Sequence, residues 1–273
     1  MSLRAAWPTM GSVASLTIAG PADGGPAQQG APGPVEQVRA WFDEVEAALS
    51  PFRADSDLCR WRSGRAALEE CSPLLAEIVS DVVQLQRFTE GGFHPYDRSG
   101  RYDPTGYVKG WAIQRGMDLL RARGLDAMCL GIGGDIQVCG RAQAGRPWRV
   151  AVADPADPGR VVALIEPPDA TAPYAVATSG DAERGDHIWH ALGSSSWPPR
   201  GPVPKLACLT VVGPELRLAD AFATALWAQA KARPAAECWG WLAGSGYEAM
   251  AVERSGTVRA TPGLGARLVR PAA

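Results

Sequence analysis

The residues best suited to chemistry fall in four short segments. Asp220 and Thr224, in Ala219-Asp-Ala-Phe-Ala-Thr224, stand four apart and share one face of a helix. A carboxylate and a hydroxyl are oxygen donors of the kind a hard cation such as Mg2+ accepts, with water and phosphate oxygens completing its shell. The same pair also reads as a helix N-cap followed by a neutral helical threonine. In Asp103-Pro-Thr-Gly106-Tyr-Val-Lys109-Gly, a turn runs straight into a helix. The unpaired amides and positive end of such a helix suit a phosphate, and Lys109 adds a point charge. The spacing is not that of a Walker A loop, and a capped helix with a surface lysine is the other reading. Gly131-Ile-Gly-Gly134-Asp135 lets backbone approach a ligand or another strand closely. It lacks the third glycine and the following helix of a dinucleotide fingerprint, which disfavours a Rossmann site. Thr178-Ser179-Gly180 places small hydroxyl residues before a glycine at a strand end, a second arrangement suited to phosphate. Just beyond it lie His187 and His190. As a metal pair they lack a third soft ligand nearby. His187 has the titration range of a general base, and also that of an ordinary hydrogen-bonding loop residue.

These segments need elements to position them. The pattern predicts an opening strand over 9–19 after a tight glycine turn, then a flexible Gly/Pro/Ala/Gln loop over 20–34. Apolar residues at 35, 38, 41, 42, 45 and 49 predict an amphipathic helix ended by Pro51. Ser72 and Pro73 open a helix over about 73–89. A Gly-rich polar stretch, 91–106, leads into a helix over 107–123 that stops before Gly124. Two glycine-broken strand pieces follow over 126–138, then a hairpin from 148–153 and 161–166, and strands at 175–178 and 206–212. A strong helix spans 218–231, a last helix 234–243, and the tail returns as one or two strands over 247–259. Helices and strands alternate without strict βαβ repetition. The fold class expected is therefore α+β, a single mixed-sheet domain over 1–273 with packed helices.

Composition narrows the function classes. The 273 residues are 46% hydrophobic and 21% charged with a formal net charge of -2, and no Lys/Arg block appears, which argues against nucleic-acid binding. Six cysteines show neither CxxC pairing nor zinc-like spacing and read as small buried apolar residues. No apolar run of about 18 residues exists, so no membrane insertion is expected. The first residues carry no secretory h-region, and a cytoplasmic location is expected.

Taken together and in this order, the motifs resemble the FAD:protein FMN transferase (ApbE-like) family from Met10-Gly11 to about Trp227. Thr9-Met10-Gly11-Ser12 resembles that family's Met-Gly-Thr turn. Leu49-Ser-Pro-Phe52-Arg-Ala-Asp-Ser56-Asp-Leu58-Cys-Arg60 is similar to its SRFRPDSELSRL segment, and Gly91-Gly92-Phe93-His94-Pro95 stands where it has Gly-x-Phe-Asp-Pro. Asp103 to Gly110 resembles its Asp-x-x-Gly-x-x-Lys-Gly motif, Ile132 to Asp135 its Gly-Gly-Asp, Ala177 to Gly180 its Thr-Ser-Gly, and Ala219 to Thr224 its Ala-Asp-Ala-x-x-Thr.

The resemblance implies a T-fold-related architecture and an enzyme that moves the FMN half of FAD onto a Thr or Ser of an acceptor flavoprotein, releasing AMP. It implies Mg2+ held by Asp220, Thr224 and the carbonyl of Gly106. It implies FAD contacts from Met10, Phe52, Gly92, Phe93, His94, Asp103, Lys109 and Ile188. Thr178 and Ser179 fall in the implied Thr-Ser-Gly flavin segment, and His187 becomes the base for the acceptor hydroxyl. The chain departs from the pattern at His94, where the family has Asp, and at His190-Ala191, where it has Asp-Pro. These departures keep two alternatives open, a flavin-binding or storage module and an FAD pyrophosphatase. A homodimer is left open.

Overall fold

The structure, a computed structural model, describes residues 2–20, 32–97, 99–142, 145–180, 205–231 and 234–268. His187, Ile188 and His190 lie outside the described residues.

The chain opens with a hairpin rather than one strand: β1 (Leu3–Thr9) and β2 (Ser12–Ile18) pair antiparallel, Thr9 opposite Ser12. Met10 and Gly11 form the two-residue turn at φ 47° and 69°, the left-handed pair that matches strand twist in such hairpins. β1 escapes a sequence reading because Ala5, Ala6 and Pro8 carry little strand propensity.

α1 (Pro34–Leu49) starts with proline at its first turn and buries Val38, Phe42, Val45, Ala48 and Leu49, the face its spacing predicts. Full burial of one such side chain contributes about 1.5–3 kcal/mol. α2 (Asp57–Arg62), not anticipated, is a short helix capped by the Ser56 hydroxyl, which accepts the Cys59 N–H at 3.1 Å. α3 (Pro73–Phe88) begins at Ser72, whose hydroxyl accepts from Leu74 N–H. α4 (Thr105–Ala122) begins just behind Asp103-Pro104.

Then come β3 (Met128–Ile132) and β4 (Asp135–Cys139), joined by Gly133-Gly134 with Gly133 at φ 58°. The hairpin β5 (Val150–Asp154) and β6 (Asp157–Ile165) forms its own two-stranded sheet. β7 (Tyr174–Gly180), β8 (Leu206–Gly213) and α5 (Leu216–Ala230) follow. The segment read as a last helix is one turn, α6 (Ala235–Cys238), and a 3-10 turn over Trp239–Leu242. β9 (Glu248–Glu253), β10 (Val258–Ala260) and α7 (Pro262–Gly265) end the described chain.

The main sheet has eight strands in the order β1-β2-β3-β4-β7-β8-β9-β10. Each of its pairings is antiparallel, so the mixture in this α+β fold lies in helices packed on strands rather than in strand direction. Side-chain alternation divides the core. Ala175, Ala177, Leu209, Val211, Ala249 and Ala251 face one cluster with α1, α3, α4 and α5. Val176, Cys208, Val212, Met250 and Val252 face a second with Val150, Val152, Ala163 and Ile165 of the small hairpin. β8 is covered on both faces and is buried from Ala207 onward. Among the described residues, no helix is long and apolar enough to cross a membrane.

Candidate active site

Helices α4 and α5 meet where α4 carries no side chain. A Cβ on Gly106 would lie 2.9 Å from Thr224 Oγ1, and one on Gly110 would lie 2.6 Å from the carbonyl oxygen of Leu216 and 2.7 Å from Asp220 Cβ. Only glycine one turn apart on α4 lets α5 approach this closely. The Gly110 N–H donates to Asp220 Oδ2 at 2.8 Å, and the Thr224 hydroxyl lies 3.5 Å from the Gly106 carbonyl oxygen. Asp220 is therefore inside the helix, one turn beyond the cap position at Glu215, which removes the N-cap reading of that residue.

This contact forms one wall of an open cleft of about 600 Å3 at one end of the sheet. Gly92, Phe93, His94, Asp103, Gly106, Lys109, Thr178, Ser179, Asp220 and Thr224 all line it. The glycine turn Gly133-Gly134 and residues 151–155 of the small hairpin close the remaining sides. Five of the seven sequence motifs, those from Gly91 to Thr224, thus meet in one place although they are scattered over more than a hundred residues.

Lys109 does not project freely. Its ammonium lies 2.5 Å from Asp135 Oδ2, and Asp135 is 1% exposed. The other oxygen of Asp135 accepts the Thr178 N–H at 3.1 Å, and the Thr178 hydroxyl is 2.9 Å from that of Thr210. Asp135 thereby ties the start of α4 to the end of β7. The reading of Lys109 as a surface lysine fails on this geometry. Asp135 was visible in the Gly-Gly-Asp motif, but its role depends on a cross-element ion pair that spacing does not reveal.

Asp103 bends the chain into α4. Its carboxylate accepts the Thr105 N–H at 3.1 Å, and its own N–H donates to the Pro95 carbonyl at 2.9 Å. The aromatic lining is Phe93, His94 and Tyr96. The ring of Tyr96 stands 5.2 Å from that of His94 and 5.6 Å from Tyr102, which in turn meets Trp61 at 5.2 Å. Among the described residues no tryptophan lines the cleft.

Met10 and Phe52 are not part of its described lining. Met10 sits in the β1–β2 turn with its N–H donating to Glu46 Oε2 at 3.2 Å, and Phe52 is 86% exposed beyond the end of α1. Cys208 lines the cleft, but burial, with Asp154 adding to it, pushes its thiol up to about 12. It is a protonated, poor nucleophile near neutral pH.

The donor set can be tested for a metal. The Gly106 carbonyl, the Thr224 hydroxyl and the Asp220 carboxylate are all hard oxygen donors on one wall of the cleft, which fits Mg2+. No group of three or more His, Cys, Asp or Glu able to hold a metal occurs among the described residues. Such a site has one protein carboxylate and leaves the remaining positions to water and phosphate oxygen.

Fold and cleft define an α+β protein with an open cleft at one end of an antiparallel sheet, one wall of which groups Gly106, Asp220 and Thr224. The ApbE family model matches residues 97–239, just over half of the sequence, and the chain belongs to the ApbE family. It is 26% identical over 251 residues to an FAD:protein FMN transferase of Vibrio cholerae, covering 72% of this chain and 73% of that one. It is 33% identical over 169 residues to an FAD:protein FMN transferase of Rhodobacter capsulatus, covering 59% of this chain and 30% of that one. Among solved structures it resembles a mutant of the flavin transferase ApbE from Vibrio cholerae, at TM-score 0.74 and 19% identity over 98% of this chain and 99% of that one. The apo flavinyl transferase ApbE of Pseudomonas stutzeri gives TM-score 0.73 at 20% identity, with 98% of each chain covered. These structural likenesses establish the fold.

Proposed function

We propose that this protein transfers the FMN half of FAD to a Thr or Ser hydroxyl of an acceptor protein, in a Mg2+-dependent reaction that releases AMP. The observation that carries the reading is the α4–α5 contact, where Gly106, Asp220 and Thr224 meet in the cleft that also holds Lys109 and the glycine turn. The names of the curated relatives support the same reaction class.

The charge of the cleft supports the need for a cation. Its described lining carries the carboxylates of Asp97, Asp103, Asp154 and Asp220, whereas Lys109 is its one Lys or Arg and is drawn to Asp135. A diphosphate entering this lining meets repulsion unless positive charge accompanies it. Asp220, Thr224 and the Gly106 carbonyl would hold Mg2+, which supplies neutralisation of phosphate charge and stabilisation of the leaving group.

The protein's own groups do the rest by positioning. Lys109, fixed by Asp135, presents a cation to a phosphate oxygen. Gly133 and Gly134 admit the diphosphate close to backbone. His94 and Tyr96, with ring centroids 5.2 Å apart, offer flat faces for a ring system. In the transfer, the acceptor oxygen forms a bond to the FMN phosphorus, and the bond from that phosphorus to the bridging oxygen breaks. AMP leaves with the electron pair. The hydroxyl proton passes to a base, for which the resemblance names His187.

The test is incubation with FAD, Mg2+ and a peptide carrying Thr among acidic and small residues. Covalent flavin on the peptide is the expected result. AMP without labelled peptide makes the protein an FAD pyrophosphatase, and unchanged bound FAD makes it a binding module.

A further inference from the structure

The Gly92–His94 wall of the cleft hangs on one buried amide. Gln229, on the last turn of α5, is 1% exposed. Its Nε2 donates to the Thr89 carbonyl at 3.3 Å, and its Oε1 accepts from Trp241 Nε1 at 3.2 Å. Around that amide the chain leaves α3 through Glu90 and Gly91 at φ 51° and 78°. The Thr89 hydroxyl donates to the Leu85 carbonyl at 2.8 Å and accepts the Phe93 N–H at 2.9 Å. Gly92 then passes so close that a Cβ would fall on the Gln229 amide, with its Cδ only 2.9 Å away. Gln229 is about two and a half turns beyond Asp220 on the same helix and one residue past Ala228, which lines the cleft.

We infer that Gln229 is a positioning residue for FAD: its amide registers the Gly92–His94 wall against α5, the helix that carries Asp220 and Thr224. The inference rests on the function proposed above. A buried amide satisfied at both ends fixes a loop far more tightly than apolar packing, because releasing either partner leaves a buried polar group without a bond. Gly92 is required by the same contact, which makes the two positions coupled rather than additive.

The experiment is a double-mutant cycle read by FAD turnover in the full-length protein with Mg2+ and the Thr peptide, with FAD binding followed by flavin fluorescence. Gln229→Leu keeps the volume and removes both hydrogen bonds. It is expected to raise KM for FAD fivefold or more while kcat stays within twofold, a split that a general loss of folded enzyme does not produce. Gly92→Ala is expected to raise KM similarly. With Gln229→Ala as the second single variant of the cycle, the Gly92→Ala/Gln229→Ala pair loses the same contact only once and is expected to raise KM no further than the larger of the two single effects. An unchanged KM in Gln229→Leu, or additive effects across the cycle, overturns the inference. If Gln229→Leu does not fold, the Gly92 arm decides. Wild-type protein that binds and turns over FAD, with no coupling between the Gln229 and Gly92 variants, overturns this inference alone. Wild-type protein that neither binds nor cleaves FAD removes the proposed function, and this inference with it.

Discussion

The ammonium of Lys109 lies 2.5 Å from Oδ2 of Asp135, and the two come from different elements, the first turns of α4 and the first residue of β4. The lysine keeps 20% of its side chain exposed to the cleft, while the carboxylate is sealed at 1%. Such a pair holds a cation in place without hiding it from a ligand. Breaking a buried pair from one side costs more than the pair itself contributes, because the remaining charge loses its partner.

Asp135→Asn is therefore expected to raise KM for FAD about tenfold and to lower stability by about 1.5–3 kcal/mol, the range for a hydrogen bond to a charged group. The amide oxygen can still accept the Thr178 N–H, so the fold survives. Steady-state kinetics with urea unfolding measures both, and an unaltered KM would separate Lys109 from FAD binding.

The helix contact makes a second expectation. Gly110→Ala drives a methyl group against the Leu216 carbonyl and Asp220. Overpacking of this kind costs about 1–3 kcal/mol and parts the two helices. Thermal unfolding should show the loss, and the Mg2+ concentration for half-maximal activity should rise.

Asp220→Asn keeps an acceptor for the Gly110 N–H and removes the carboxylate charge. Its circular dichroism should match the wild type while Mg2+-dependent turnover falls at least a hundredfold. EDTA should silence the wild type, and added Mg2+ should restore it. Turnover equal to wild type in the variant would refute the assignment of Asp220 to the metal.

Cys208 provides a pH-dependent probe. Its thiol, raised to about 12 by burial, gains thiolate only as pH climbs toward that value. Iodoacetamide at pH 8 should modify Cys208 at least tenfold more slowly than a free cysteine, with the rate still rising above pH 10. Mass spectrometry of the peptide containing Cys208 follows this directly, and labelling at pH 8 as fast as that of a free cysteine would refute the burial of this thiol.

Much of this protein is legible in residue order. The buried face of α1 follows from its apolar spacing, and the starts of α3 and α4 from Ser72-Pro73 and Asp103-Pro104. The oxygen donors Asp220 and Thr224 share a face because a helix has 3.6 residues per turn. What residue order could not supply is distance between elements. That Gly106 and Gly110 serve helix contact, that Asp135 holds Lys109, that residues 151–155 wall the cleft and that Gln229 reaches Thr89 all depend on where α4, α5 and the sheet come to rest. Local pattern is set by the period of each element, but contact across more than a hundred residues is set by packing, which admits one arrangement only after the whole core is assembled.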